Sequence, residues 1–260
     1  MPIKFGPAGL GSVKEAARNL EEYHRLGLRA CEIAFTYGVY IKEKDKKEIE
    51  GIRKTAEKLG IKLSIHAPYW LNLNSKEKKK IEDSKKRILD CCKIGEMLGA
   101  KIVVFHCGYF SEMEHEKTYE NIKKEVTEIL KYIKEKKWKI KIAAETMGKI
   151  NVFGSVEEIA KLVGETGCSF AIDFAHILAR DKKVDFEKIN KLFGKQEKWH
   201  CHFSGIVYGE KGEKHHKKTE KEEWKELLKN LPKNKEITII NESPSPVEDA
   251  VEGLKVSKSI

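Results

Sequence analysis

The sequence predicts a single-domain (β/α)8 barrel, a TIM barrel over residues 1–260, and three observations predict it. The chain has 260 residues, the usual size of one such barrel and ample for a continuous core. Eight short β-type runs alternate with amphipathic helical runs from end to end, at about 32 residues per unit, close to the ~30 of a βαβ unit. No GxGxxG follows the first run, whereas a doubly wound nucleotide-binding sheet often carries one there.

The strand candidates are Ile3–Gly6, Ala30–Phe35, Ile61–His66, Lys101–His106, Lys139–Glu145, Ser169–Asp173, Trp199–Phe203 and Ile237–Glu242. Runs such as IVVF and ITII are apolar throughout, as parallel strands covered on both faces should be. Between them the apolar residues recur at helical spacing. Val13, Ala16, Ala17, Leu20 and Tyr23 share one face of a first helix; Ile122, Val126, Ile129, Leu130 and Ile133 share one face of a later helix. Ser12, Ser75 and Ser155 precede helical runs, and Glu15 and Glu158 stand three residues after two of them, the spacing of a capping box. Gly27, Gly60 and Gly99 each follow a helical run, where a glycine can take the left-handed turn that ends a helix. The lysine-rich stretches 44–47 and 76–80 read as solvated faces.

Composition narrows the function classes. No apolar run approaches the ~20 residues needed to cross a bilayer, and the N-terminus lacks a signal-peptide plan, so a cytoplasmic location and no membrane partner are expected. The six cysteines show no CxxC spacing and sit largely in apolar stretches, as small buried hydrophobes would. Lys+Arg number 51 against 41 Asp+Glu, a net charge of +10 that suits a polyanionic partner. A Lys/Glu-rich surface of the kind seen in hyperthermophile proteins explains the same balance.

The informative polar residues recur at one place, the end of a predicted strand or just beyond it. His66, His106, Glu145, Asp173 with His176 in the next turn, His202 and Glu242 end six successive strands. In a TIM barrel those ends form the rim that carries the active site. A lone histidine there reads most simply as a hydrogen-bonded core residue, but carboxylates are rarely buried unpaired. Several imidazoles and three carboxylates in one barrel mouth call for cations, and mixed nitrogen and oxygen donors suit zinc, with manganese or iron compatible.

The segments HAPY, FHCG, ETMG, IDFAH and NESP, in that order along nearly the whole chain, resemble the endonuclease IV family of apurinic/apyrimidinic endonucleases. The resemblance implies three zinc ions. His66, His106 and Glu145 would hold one, with Glu145 bridging to a second that Asp173, His202 and Glu242 complete. His176 would hold the third with the loop after strand seven, where the family has an acidic residue and a histidine two apart. Glu213 and His215 keep that spacing, His216 is the alternative, and the family's aspartate is absent. Tyr69 and Trp70 stand where the family places an aromatic-apolar pair that enters DNA at the lesion; an ordinary loop anchor is the plainer reading. The implied reaction is hydrolysis of the phosphodiester 5′ to an abasic site in duplex DNA, with Glu145 as the catalytic carboxylate orienting the attacking water and a monomeric enzyme expected. The rival on the same barrel is a sugar isomerase or epimerase using Glu145, Asp173, His202 and Glu242 around one divalent metal. A basic protein that only binds nucleic acid is a third reading, and it gives those buried carboxylates no task.

Overall fold

The computed structural model describes residues 3–43 and 45–260. Along the chain run β1 (Lys4–Pro7), α1 (Ala16–Arg25), β2 (Ala30–Ala34), α2 (Lys46–Leu59), β3 (Lys62–His66), α3 (Lys78–Leu98), β4 (Ile102–Phe105) and α4 (His115–Glu135). There follow β5 (Lys141–Glu145), α5 (Val156–Thr166), β6 (Ser169–Asp173), α6 (Phe174–Asp181), α7 (Phe186–Phe193), β7 (Lys198–Phe203), β8 (Gly205–Gly209) and β9 (Gly212–Lys217). The series ends with α8 (Lys221–Asn230), β10 (Glu236–Asn241) and α9 (Pro246–Ser257).

Eight parallel strands form one sheet in the order β1-β10-β7-β6-β5-β4-β3-β2. Its two outer strands meet: Arg29 N donates to Phe5 O at 3.0 Å, Gly9 N donates to Glu32 O at 2.8 Å, and Ala8 bridges Glu32 in parallel. The sheet thereby closes into a TIM barrel. That seam is tight enough to dictate a residue. A Cβ on Gly6 would lie 1.9 Å from the Ala30 carbonyl oxygen, so only glycine lets β1 and β2 approach. The predicted strands are all present, within one or two residues at their ends.

The helices bury most of the faces their spacing foretells: in α1 Ala16, Leu20 and Tyr23 are buried and Ala17 partly so, while Val13 lies in the turn before the helix. Ile122, Val126, Ile129 and Ile133 of α4 are buried and Leu130 is partly so. Each such side chain contributes roughly 1.5–3 kcal/mol of burial free energy. Gly60 and Gly99 end α2 and α3 at φ 66° and 73°, and Gly27 follows α1 at φ 89°. Ser155 and Glu158 form the expected capping box. Ser12 and Glu15 do not: Ser12 Oγ donates to the Glu15 carboxylate at 2.7 Å, and α1 begins only at Ala16, with no side-chain cap. Residues 76–80 are exposed, as are Lys46 and Lys47, while Lys44 of the other stretch lies outside the described residues. All six cysteines are free and buried. Among the described residues no helix is long and apolar enough to cross a membrane.

One departure matters for function. The segment after β7, read from the sequence as a loop, is the antiparallel ribbon β8–β9. Its alternation was masked by a register shift at Val207/Tyr208, where Val207 pairs with His215 but Tyr208 with Glu213. The extra residue on β9 is a β-bulge, which reverses the side-chain parity beyond it. Gly212, at φ 95°, lets the ribbon touch the barrel: a Cβ there would sit 2.1 Å from the Gly148 oxygen.

Candidate metal centre

Parallel strands that end together deliver their last residues to one place, and here they deliver acids and imidazoles. Glu145, at the end of β5, is fully buried and stands at the middle of the group. Its Oε2 lies 3.0 Å from His66 Nε2 and 2.9 Å from His106 Nε2; its Oε1 lies 3.0 Å from His202 Nδ1 and 3.5 Å from His176 Nδ1. Asp173 and Glu242 approach from β6 and from just beyond β10, and with Glu145 and His202 they offer four donor atoms within 4.8 Å of one another. Asp173 also caps α6, its Oδ1 accepting from His176 N at 2.8 Å, which fixes where His176 stands.

A second group joins this one through the ribbon. His176 Nε2 lies 3.5 Å from Glu213 Oε2, and Glu213 Oε1 lies 3.8 Å from His216 Nε2. The bulge explains the choice of histidine. Glu213 and His216 share a face because an extra residue separates them, while His215 is exposed and belongs to none of the donor groups formed by the described residues. Of the two histidines the sequence left open, the geometry thus brings His216 to Glu213 and leaves His215 outside.

Electrostatics follow from crowding. Burial opposes ionisation of Glu145, yet the imidazoles of His202 and His106 outweigh it and hold the carboxyl well below the usual range. Burial likewise opposes charge on His176, but the carboxylates of Asp173, Glu145 and Glu213 raise it to about 9. His202 is driven well above the ordinary histidine value against the same burial cost, by Glu32, Glu242 and Glu145.

The donor set fits metal ions on two grounds. Imidazole nitrogens and carboxylate oxygens are the donors that zinc, manganese and iron accept. Furthermore, among the described residues Asp173 Oδ2 and Glu242 Oε1 are buried without a hydrogen-bond partner, and His106 Nε2 meets only the poorly aligned Glu145 Oε2. Buried polar atoms left unpaired cost roughly 1–3 kcal/mol each, and two carboxylate oxygens in that state beside one cluster of imidazoles suit a cation.

Above the cluster opens a cleft of about 280 Å³, walled by Tyr69, Tyr109, Lys149, Glu213 and Glu242 among others. Tyr69 is 40% exposed, and its ring stacks on His106 at 5.4 Å between centroids. Its carbonyl accepts from His106 Nδ1 at 3.1 Å. Trp70 is 49% exposed, with the Arg87 guanidinium 4.1 Å above its ring.

Two residues of the cluster were missed in the sequence. Glu32 of β2 is fully buried; its Oε2 accepts from His200 Nε2 at 2.9 Å and its Oε1 lies 2.9 Å from His202 Nε2. The signal was there in ACEIA, a carboxylate inside an apolar strand, and in WHCHF, two histidines two apart on one face of β7.

A family model described as xylose isomerase-like TIM barrel matches residues 20–260. The chain belongs to that family. Over 262 residues it is 34% identical to an uncharacterised protein of Methanocaldococcus jannaschii, covering 95% of this chain and 94% of the relative. Over 158 residues it is 23% identical to a probable endonuclease 4 of Mycobacterium tuberculosis, covering 58% of this chain and 60% of the endonuclease. Among solved structures, SacUVDE superposes with a TM-score of 0.80 at 14% identity, covering 100% of this chain and 98% of that one. D-psicose 3-epimerase of Clostridium cellulolyticum gives 0.71 at 14% identity, covering 100% and 99%. Endonuclease IV of Thermus thermophilus gives 0.70 at 19% identity, covering 100% and 98%. At such identities the superpositions speak for the barrel alone.

Proposed function

We propose that this xylose isomerase-like barrel is a divalent-metal-dependent endonuclease that hydrolyses the phosphodiester 5′ to abasic sites in duplex DNA. The observation that carries the reading is the second donor group, His176–Glu213–His216, set beside the first by the β8–β9 ribbon. Glu145, Asp173, His202 and Glu242 suffice for a single ion; the ribbon has no task in a one-metal isomerase. The endonuclease relatives favour the same side.

In this reading His66, His106 and Glu145 would hold one ion, Glu145, Asp173, His202 and Glu242 a second, and His176, Glu213 and His216 a third. Bound divalent ions supply an activated water and neutralise charge on the attacking and leaving oxygens, with zinc the expected ion. The chain's own residues do the rest. Glu145, kept ionised by its imidazole neighbours, orients the attacking water in line with phosphorus. Lys149 at the cleft wall meets the phosphate backbone, and the net charge of +10 draws the polyanion in. Tyr69 and Trp70, half-exposed at the rim, fill the stack beside a missing base.

The test is an incision assay on end-labelled duplex carrying one abasic analogue, with intact duplex and a ketohexose in parallel. Cleavage at the lesion alone is expected. Epimerisation of the ketohexose with both duplexes untouched would transfer the site to sugar chemistry, for which the four-residue group around His202 is already complete.

A further inference from the structure

Each imidazole of the cluster has one nitrogen facing the other donors and one tied to the scaffold, and the ties are not alike. His66 Nδ1 donates to the Ala67 carbonyl at 2.7 Å, His106 Nδ1 to the Tyr69 carbonyl at 3.1 Å, and His176 Nδ1 to the Thr146 carbonyl at 2.9 Å. His216 Nδ1 meets Ser204 Oγ at 2.6 Å, a hydroxyl whose own proton goes to the Gly205 carbonyl at 3.0 Å. All four hydrogen bonds are to neutral oxygens and leave Nε2 for the centre, although His176 Nδ1 also lies 3.4 Å from Asp173 and 3.5 Å from Glu145, themselves members of the donor set. His202 is reversed. Its Nδ1 faces Glu145 and Glu242, and its Nε2 faces the carboxylate of Glu32 at 2.9 Å.

We propose that Glu32 is a positioning residue that fixes His202 as an Nδ1 donor and, alone among the scaffold partners, supplies a full negative charge behind a metal-binding imidazole. His200 completes the device. It donates from Nε2 to the other oxygen of Glu32 at 2.9 Å, so the carboxylate is gripped on both sides and cannot swing into the centre as a ligand. Glu32 and His202 have no exposed surface and His200 very little, so bulk water does not dilute the interaction. A carboxylate behind a ligating imidazole makes its nitrogen a stronger base and holds the ring in one orientation. The contact from Glu32 Oε1 to His202 Nε2 is at hydrogen-bonding distance but poorly aligned. A small rotation of the His202 ring, as Nδ1 turns from Glu145 towards an ion, is what would straighten it.

The inference rests on the metal centre and not on the substrate. His202 belongs to the donor set in nuclease and epimerase readings alike, so a failed incision assay leaves it standing and its own failure leaves the nuclease reading standing. The chemistry also selects the decisive variant. Glu32→Gln keeps the shape but offers one acceptor and one donor to two imidazole N–H groups, so one ring must change tautomer and the charge is gone.

The experiment titrates the chelator-stripped protein with Co(II) and follows visible absorption. For the wild type, two or three equivalents bind. For Glu32→Gln, one of those ions should bind about 10–100-fold more weakly with altered bands while the others keep their affinity, as outer partners of metal ligands usually behave. Glu32→Asp keeps the charge but is too short to hold both rings, and should fall between. Should Glu32→Gln fail to fold, as judged by circular dichroism, the Asp variant alone carries the same test. Unchanged affinity and spectrum in either folded variant would overturn the proposal. So would the loss, in the variant, of an additional ion bound by Glu32, His200 and His202 themselves.

Discussion

Both ends of this barrel gather carboxylates and basic side chains, lysines at one and histidines at the other, and treat them in opposite ways. At the N-terminal end Glu236, the first residue of β10, meets Lys4 at 3.2 Å, Lys198 at 3.4 Å and Lys62 in direct contact. Those groups all reach water, one carboxylate is shared by three lysines, and solvent screens the positive charge left over. Towards the C-terminal end Glu145 and Asp173, with Glu32 of mid-β2 beneath them, are fully buried, ringed by imidazoles, and several polar atoms of the described residues there lack well-aligned partners. An ion pair that satisfies itself stabilises modestly. A buried group that cannot satisfy itself needs a visitor. The difference teaches where function sits in a fold whose two ends share one set of strands.

The largest effect expected from that contrast is at Glu145. Glu145→Gln keeps the volume but removes the charge on which His66, His106 and His202 converge. Incision of abasic duplex should fall by several orders of magnitude, measured as single-turnover rate, while the barrel still folds. Near-normal cleavage would take Glu145 out of the chemistry.

Next comes the rim. Replacing Tyr69 and Trp70 together by Ala should weaken binding to abasic duplex by ~1–3 kcal/mol per lost stacking group. Metal content should persist, because the Tyr69 group that touches His106 Nδ1 is its backbone carbonyl, which Ala retains. Binding to intact duplex should change little and should fall steeply with salt, since phosphate contacts carry it. Paired titrations at matched ionic strength decide this: equal losses for both duplexes would make the two rings ordinary anchors.

A pH experiment sharpens the contrast further. In the metal-free protein His176 titrates at about 9 against 6.5 when unperturbed, the charged form being favoured by Asp173, Glu145 and Glu213. A raised value means stability that is fully present below about 6.5 and is lost as pH rises through about 9. The melting temperature of chelated protein should therefore drop across that window. With metal the sign reverses, because ligands must shed protons to bind and metal affinity should weaken towards acid. Identical pH profiles with and without metal would contradict this.

The smallest effect belongs to the opposite end. Glu236 is held down to about 2, first by its hydrogen bond with Lys62. The lowered value gives stability present above about 4.5 and lost as pH falls through about 2. Partial exposure limits it, and Glu236→Gln should cost about 1 kcal/mol or less at neutral pH by denaturant unfolding, with incision untouched.

Much of this was legible in the sequence because it depends on local periodicity. Apolar runs such as IVVF, recurring between amphipathic helical runs, read as strands buried on both faces, and a polar residue ending each of six strands in turn is a rim by construction. What stayed hidden depends on partners distant in the chain. The β8–β9 ribbon hid because its bulge breaks the alternation that reveals strands, and with it went the choice of His216 over His215. Glu32 hid because it lies in mid-strand and not at an end; only closure of β2 against β1 brings it beneath β7 and its two histidines. The failed cap at Ser12 is a smaller instance, its hydroxyl taken by the Glu15 side chain instead of a backbone amide.

Metal content tests most directly the central claim, that the C-terminal end is built around cations. Elemental analysis of protein purified without chelator should find two or three ions per chain, zinc foremost. A value of three would fill the groups around His66, His202 and His216 together. One ion or fewer per chain would contradict the multinuclear centre, return the site to a single-metal isomerase, and leave the ribbon that carries Glu213 and His216 without its role.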